Sequence, residues 1–222
     1  MAGSRVVKSD GSRVQITLTS GNFTDRAREA LHSRPPEVTQ PGPSDFELNP
    51  EMQGVAGPAE FIPAAVLIPV VARARLSVIL TQRTSHLSTH AGQIAFPGGK
   101  VDDGEAASET ALREAQEEIG LEQQFVEPIG YLDWYRTRTG FAVSPLVALV
   151  HPGFSLQANP NEVDDVFEVP LEFLLDESNH LKHCRQWQGH DRFYYAMPYG
   201  ERYIWGATAG IIKNLHQKLR HE

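Results

Sequence analysis

Three glutamates crowd one helical turn in the run REAQEEIG, Arg113–Gly120. Glu114, Glu117 and Glu118 stand at i, i+3 and i+4. At those offsets like charges face one another, at a cost of a few tenths of a kcal/mol per pair. At about 100° per residue, Leu112, Ala115 and Ile119 gather on one side of the predicted helix. The glutamates spread over roughly 100° of the opposite side, so one face would pack while the other carries a pure carboxylate patch. Solvated helices usually mix lysine with glutamate, yet no lysine stands between Lys100 and Lys182. Such a patch is either a plain surface or a site for a hard dication. Mg2+ takes carboxylate oxygens at about 2.0–2.1 Å and keeps positions open for phosphate. Arg113, one turn before Glu117, can orient that carboxylate or one from the preceding loop. Composition and spacing alone do not decide between the two.

The flanking residues do. From Gly99, five residues lead to Glu105, and seven more lead to Arg113–Leu121, REAQEEIGL. The stretch resembles the Nudix box: glycine, five residues, glutamate, seven residues, then Arg-Glu-aliphatic-x-Glu-Glu-x-Gly-aliphatic. Nine specified positions over 23 residues are met, with Ala115 as a small residue at an aliphatic position. The resemblance implies a loop–helix–loop binding Mg2+ or Mn2+ in an enzyme that hydrolyses a diphosphate joined to another moiety. It further implies an α/β fold, the Nudix α/β/α sandwich around a mixed sheet.

Upstream, ILTQRTSHLSTHAGQIAFPGG (Ile79–Gly99) is similar to the signature of the coenzyme A diphosphatase branch of that family. Thr81, Arg83, Gly92, Phe96, Pro97, Gly98 and Gly99 fall in register. Ile79, Thr84 and Ser88 depart, and Ser88 replaces an arginine that would suit bidentate phosphate recognition. Asn161–Leu175 and Tyr203–Leu215 also look like bacterial members of the branch, so the resemblance covers about Phe61–Leu215. It implies Glu114, Glu117 and Glu118 as metal ligands, with the Gly99 carbonyl as an addition. Glu105 and Arg113 would brace the loop and helix. Arg83, Gly98 and Gly99 would bind substrate. Glu117, Glu118 and Arg113 count with the catalytic set, and Glu162, in the acidic loop NPNEVDD, is the candidate general base or a further ligand. A nucleotide sensor without catalysis commonly loses box carboxylates, and here all are kept. Arg136 and Arg138 are weaker candidates for substrate contact. His86 and His90 read as loop packing or substrate hydrogen bonds, since hard cations prefer oxygen.

The elements that must position these residues follow from periodicity and punctuation. AAVLIPVV and Leu76–Arg83 read as buried strands, and Phe96–Glu105 as a loop. A helix is expected from about Ala106 to Ile119, stopped by Gly120. EPIGYLDWYRT and FAVSPLVALV read as strands, and Pro170–Asp176 as a short helix with proline first. HLKHCRQWQ and RFYYAMPY form a hairpin around Gly189, with RFYYAM and Trp205 read as sheet and core. Ala207–Arg220 is an amphipathic helix. The first 55 residues stand apart as a helix, Asn22–Arg34 capped by Thr24 or Asp25, and a Pro/Gly-rich connector; residues 56–222 form the main domain.

A net charge of −8 with no basic stripe argues against broad nucleic-acid binding or decapping but does not exclude an anionic substrate held through cations, and the resemblance implies a small-molecule diphosphate. The longest apolar run, Phe61–Ala72, is too short for a bilayer and carries two prolines. Neither end reads as a targeting signal, and the lone Cys184 suits a reducing compartment, so a cytoplasmic protein is expected. Monomer and homodimer are both left open.

Overall fold

The computed structural model describes residues 18–37, 42–50, 61–85, 91–187 and 190–220. His86, Ser88, His90 and Gly189 lie outside these.

The centre is β1 (Ile62–Val71), whose apolar and β-branched residues alternate between two cores. Ala64, Ile68 and Val70 point to one, and Ala65, Leu67 and Val71 to the other. Along one edge β1 pairs in parallel with β7 (Phe141–Val150) over its whole length, from Ile62↔Phe141 to Val71↔Val150. Its other edge is shared by two antiparallel partners: β2 (Ser77–Arg83) at Val70–Val71 and β4 (Gly98–Lys100) at Ala64–Val66. β3 (Ile94–Ala95) and β8 (Val163–Pro170) flank β2, and β5 (Val126–Tyr131) and β6 (Tyr135–Arg136) flank β7.

On one face lies α2 (Ala107–Ile119), packing Ala111, Ala115 and Ile119 on the sheet. The other face carries α1 (Ser20–Ala30), the single-turn α3 (Leu171–Leu175) and α4 (Ala207–Arg220). The result is the expected α/β/α sandwich around a mixed sheet. A second antiparallel sheet of β9 (Leu181–Trp187), β10 (His190–Tyr199) and β11 (Arg202–Trp205) gives Met197 and Ile204 to the α4-side core. No helix among the described residues is long and apolar enough to cross a membrane.

Several elements differ from expectation for identifiable reasons. α1 starts earlier and is capped by Thr19, whose hydroxyl accepts from Asn22 N while Asn22 Oδ1 accepts from Thr19 N. It ends at Ala30 because His32 turns to exchange backbone hydrogen bonds with Tyr131. Phe23 and Ala27 of α1 are fully buried in the α4-side core. Residues 42–50 of the connector are also tied down: Pro43 O accepts from Arg136 N, and the Asn49 side chain holds both the N–H and the carbonyl of Phe193 at 2.8 Å. The strand expected over EPIGYLDWYRT breaks at Leu132–Trp134 into β5 and β6. Pro170 precedes α3 rather than opening it, because it still closes the β8 ladder opposite Ser77.

Candidate active site

α2 is built from good helix formers and stopped by Gly120, whose φ of 68° is the left-handed conformation that glycine adopts without strain. Glu109 reaches back to accept from Ala106 N at 2.8 Å. The three glutamates do not share one solvent face. Residues 111, 115 and 118 lie at i, i+4 and i+7, so Glu118 turns inward with the apolar stripe. Its side chain is 3% exposed, against 15% for Glu114 and 57% for Glu117. The carboxylates therefore step from the sheet outward rather than forming a surface patch.

Glycines make room for them. A Cβ on Gly98 would fall 2.3 Å from Ala65 O, so only glycine lets β4 lie so close on β1. A Cβ on Gly99 would fall 2.2 Å from Glu114 Oε1. The Glu114 carboxylate thus rests on the bare Cα of Gly99. Gly98 N donates to Glu118 Oε2 at 3.3 Å.

Two arginines divide the negative charge. Arg113 donates through Nε and Nη2 to the two oxygens of Glu105, at 2.9 and 3.1 Å. Its Nη1 reaches Glu114 Oε1 at 2.9 Å and Glu117 Oε2 at 3.1 Å. Thr110 Oγ1 adds a bond to Glu105 at 2.6 Å. The Arg113 bond, ahead of that from Thr110, holds the Glu105 carboxyl down to a pKa of about 2. Arg83 is the second arginine. A β-bulge separates Gln82, opposite Asp165, from Arg83, opposite Val163, at the point where β2 turns into the site. Arg83 Nη1 lies 3.6 Å from Glu118 Oε1, while its buried Nε has no hydrogen-bond partner among the described residues.

Burial pushes Glu118 up to a pKa of about 7, with Arg83 and Gly98 N opposing and the charges of Glu114 and Glu162 adding to the rise. Burial likewise raises Glu114, against the pull of Arg113 and with the push of Glu117 and Glu162. Glu162 is therefore close enough to act on both. Its loop is held there by backbone bonds, from Asn159 N to Glu118 O at 2.8 Å and from Thr84 N to Glu162 O at 3.0 Å.

The predicted residues Arg83, Gly98, Gly99, Glu105, Arg113, Glu114, Glu117, Glu118 and Glu162 thus converge on one face of the sheet, around α2. Arg136 and Arg138 do not join them. Arg136 lies over the rings of Phe46 and Phe61, at 5.4 and 5.7 Å, and Arg138 N donates to Asp45. Thr110 and Asn159 went unread in sequence. Thr110 stands one turn before Arg113, a spacing that could have flagged it, but Asn159 acts through its backbone and leaves no such signal. Among the described residues no three Asp, Glu, His or Cys groups are placed to grip one ion as they stand. The donor chemistry nonetheless fits a hard dication: carboxylate oxygens and a glycine carbonyl, with two of the glutamates raised by burial and then by the neighbouring carboxylates. Side-chain rotation that frees Glu114 and Glu117 from Arg113 is what such an ion would require.

Residues 61–193 match the NUDIX domain family. The chain is 41% identical over 160 residues to the uncharacterized Nudix hydrolase NudL of Photorhabdus laumondii, covering 71% of this chain and 84% of that protein. It is 38% identical over 184 residues to the uncharacterized Nudix hydrolase NudL of Yersinia enterocolitica, covering 82% and 89%. In fold it is similar to the crystal structure of the Nudix hydrolase RenU from M. smegmatis, with a TM-score of 0.50 at 17% identity, covering 72% of this chain and 85% of that one.

Proposed function

Because the chain belongs to the Nudix hydrolase family, we propose that it cleaves the diphosphate of coenzyme A or a derivative, giving 3′,5′-ADP and a 4′-phosphopantetheine. One observation carries this reading. A buried carboxylate, Glu118, is crowded by Glu114 and Glu162 and faced by a guanidinium whose Nε lacks a partner among the described residues. Dications on the glutamates and a phosphate on Arg83 would answer both. Within the family, the register of Thr81, Arg83, Gly92 and Phe96–Gly99 favours coenzyme A.

Glu114, Glu117 and Glu118, with the Gly99 carbonyl, would hold Mg2+ or Mn2+. When bound, such ions supply positive charge where the non-bridging phosphate oxygens become more negative. Arg113 keeps its bidentate grip on Glu105 and so holds the helix against the loop as Glu114 and Glu117 turn away from Nη1. Arg83 binds a non-bridging oxygen. Glu162 takes the proton of the attacking water, whose oxygen joins one phosphorus as the bridging P–O bond breaks and a phosphate monoester leaves. The second reading is a Nudix hydrolase of another nucleoside diphosphate derivative, such as ADP-ribose, NADH or a dinucleoside polyphosphate, and Ser88 in place of arginine is the observation that favours it. Hydrolysis of this panel with Mg2+ or Mn2+, ranked by kcat/KM, separates them. Coenzyme A is expected first, and ADP-ribose in that place would overturn the assignment.

A further inference from the structure

The loop that carries Glu162 is braced from within. It enters β8 as Asn159-Pro160-Asn161-Glu162, and four hydrogen bonds meet at its first residue. Asn159 N donates to Glu118 O at 2.8 Å. Asn159 O accepts from Glu162 N at 3.0 Å and from Val163 N at 2.9 Å. Asn159 Oδ1 accepts from Asn161 N at 3.2 Å.

The residue types account for this shape. Residues 159–162 form a turn closed by the bond from Glu162 N back to Asn159 O, three positions earlier. An asparagine in the first place of such a turn offers its side-chain oxygen to the amide two residues on. A proline in the second place fixes φ at about −65° before the chain folds. Pro160 and Asn161 are exposed, so packing does little to hold the turn and the bonds at Asn159 must.

The turn is tied to both halves of the site. At one end it hangs from α2 through Asn159, and nearby Gln157 N donates to Ile119 O at 2.9 Å. At the other end it joins the strand that presents Arg83, since Thr84 N donates to Glu162 O at 3.0 Å and Val163 lies opposite Arg83. Asp164 Oδ2 adds a bond from Ser85 N at 3.2 Å. Glu162 therefore spans the helix of Glu118 and the strand of Arg83. The Asn159 carboxamide braces the peptide that leads into it.

We propose that Asn159 is a positioning residue for Glu162. Its carbonyl and carboxamide gather the amides of residues 161–163 while its own N–H hangs from Glu118. The Glu162 carboxylate is thereby held where it takes the proton of the water that attacks phosphorus, so the proposal rests on the reading above in which Glu162 is that base. In the full chain with Mg2+ and coenzyme A, Asn159→Ala should lower kcat about 10–100-fold, the scale of a misplaced catalytic group, and leave KM at the wild-type value. Asn159→Asp keeps an oxygen for Asn161 N and should recover most of the loss. Pro160→Gly breaks no hydrogen bond but frees φ, and should give a smaller loss of the same kind. Because Asn159 acts through Glu162, Asn159→Ala should add nothing once Glu162→Gln has removed the base. An undiminished kcat in Asn159→Ala beside a crippled Glu162→Gln would overturn the positioning role and leave the base assigned. A full loss from Asn159→Ala on top of Glu162→Gln would overturn it as well, since Asn159 would then serve the fold. Wild-type kcat in Glu162→Gln would instead remove the base reading, and the positioning role with it.

Discussion

Replacing Glu118 with glutamine should make the metal-free protein more stable while abolishing its response to metal. The carboxyl is 3% exposed, and burial moves its pKa from an ordinary 4.5 to about 7. The difference corresponds to roughly 3 kcal/mol at about 1.4 kcal/mol per tenfold in proton affinity. The folded state holds the proton more tightly than the unfolded chain. This contribution is therefore present below pH 4.5 and is lost as pH rises through 7. Glutamine resembles the protonated form at every pH: its oxygen can still accept from Gly98 N, and it carries no charge to bury. Urea midpoints of the two metal-free proteins should then coincide below pH 4.5, separate between pH 4.5 and 7, and stay apart above 7, where Glu118→Gln gains on the order of 3 kcal/mol. Added Mg2+ should raise the wild-type midpoint, by about 2.7 kcal/mol at a hundred times its Kd, and leave the variant unmoved. Parallel pH profiles would mean that Glu118 is not desolvated without metal. Equal stabilisation by Mg2+ would mean that it is not a ligand.

The Glu105 carboxyl runs the other way. Held at about 2 by Arg113, it stabilises the fold above pH 4.5 and loses that contribution as pH falls toward 2, so Glu105→Gln should be less stable at pH 7 and converge on wild type in acid unfolding curves. Gly99→Ala places a methyl where the Glu114 carboxylate lies, 2.2 Å from Oε1; Mg2+ affinity by calorimetry should weaken about 10–100-fold, with far-UV dichroism retained. Phe23→Ala removes a fully buried ring from the α1–α4 contact and should cost about 3–5 kcal/mol in denaturant, while kcat of the folded protein holds because α1 and α2 lie on opposite faces of the sheet.

Periodicity was sufficient where one element satisfied one core. Phe141–Val150 and Ala207–Arg220 stand at the boundaries that their apolar patterns mark. It failed where a partner distant in sequence decided the outcome. β8 interleaves Asp164, Asp165 and Glu168 with its valines and β11 is only four residues long, so neither announces itself, and they exist because β2 and β10 offer them ladders. Helical spacing placed all three glutamates opposite the apolar stripe, yet Glu118 belongs to that stripe. A carboxylate at i+7 from Ala111 looks like a surface residue to any rule that equates charge with solvent, and its burial follows from Gly98 N and Arg83, which reach it from other strands. Spacing set Arg113 beside Glu117 and the carboxylates of the preceding loop, but said nothing of Arg83 facing Glu118.

That division of labour explains how α2 can be both firm and responsive. Two carboxylates of the same chemistry are driven apart in proton affinity by their surroundings, Glu105 downward by a bidentate arginine and Glu118 upward by burial. The start of the helix is thereby fastened by Glu105, Thr110 and Arg113 whether or not an ion is present. Its end carries an ionisation cost that Arg83 and Gly98 N offset only in part and a bound dication would offset further. Asn159 N hangs from Glu118 O in that same turn, two residues before Asn161 and three before Glu162. A dication accepted by Glu118 would therefore steady the turn from which the Glu162 loop is suspended, and hydrogen exchange of the Asn159 amide should slow with Mg2+ while that of Thr110 stays constant.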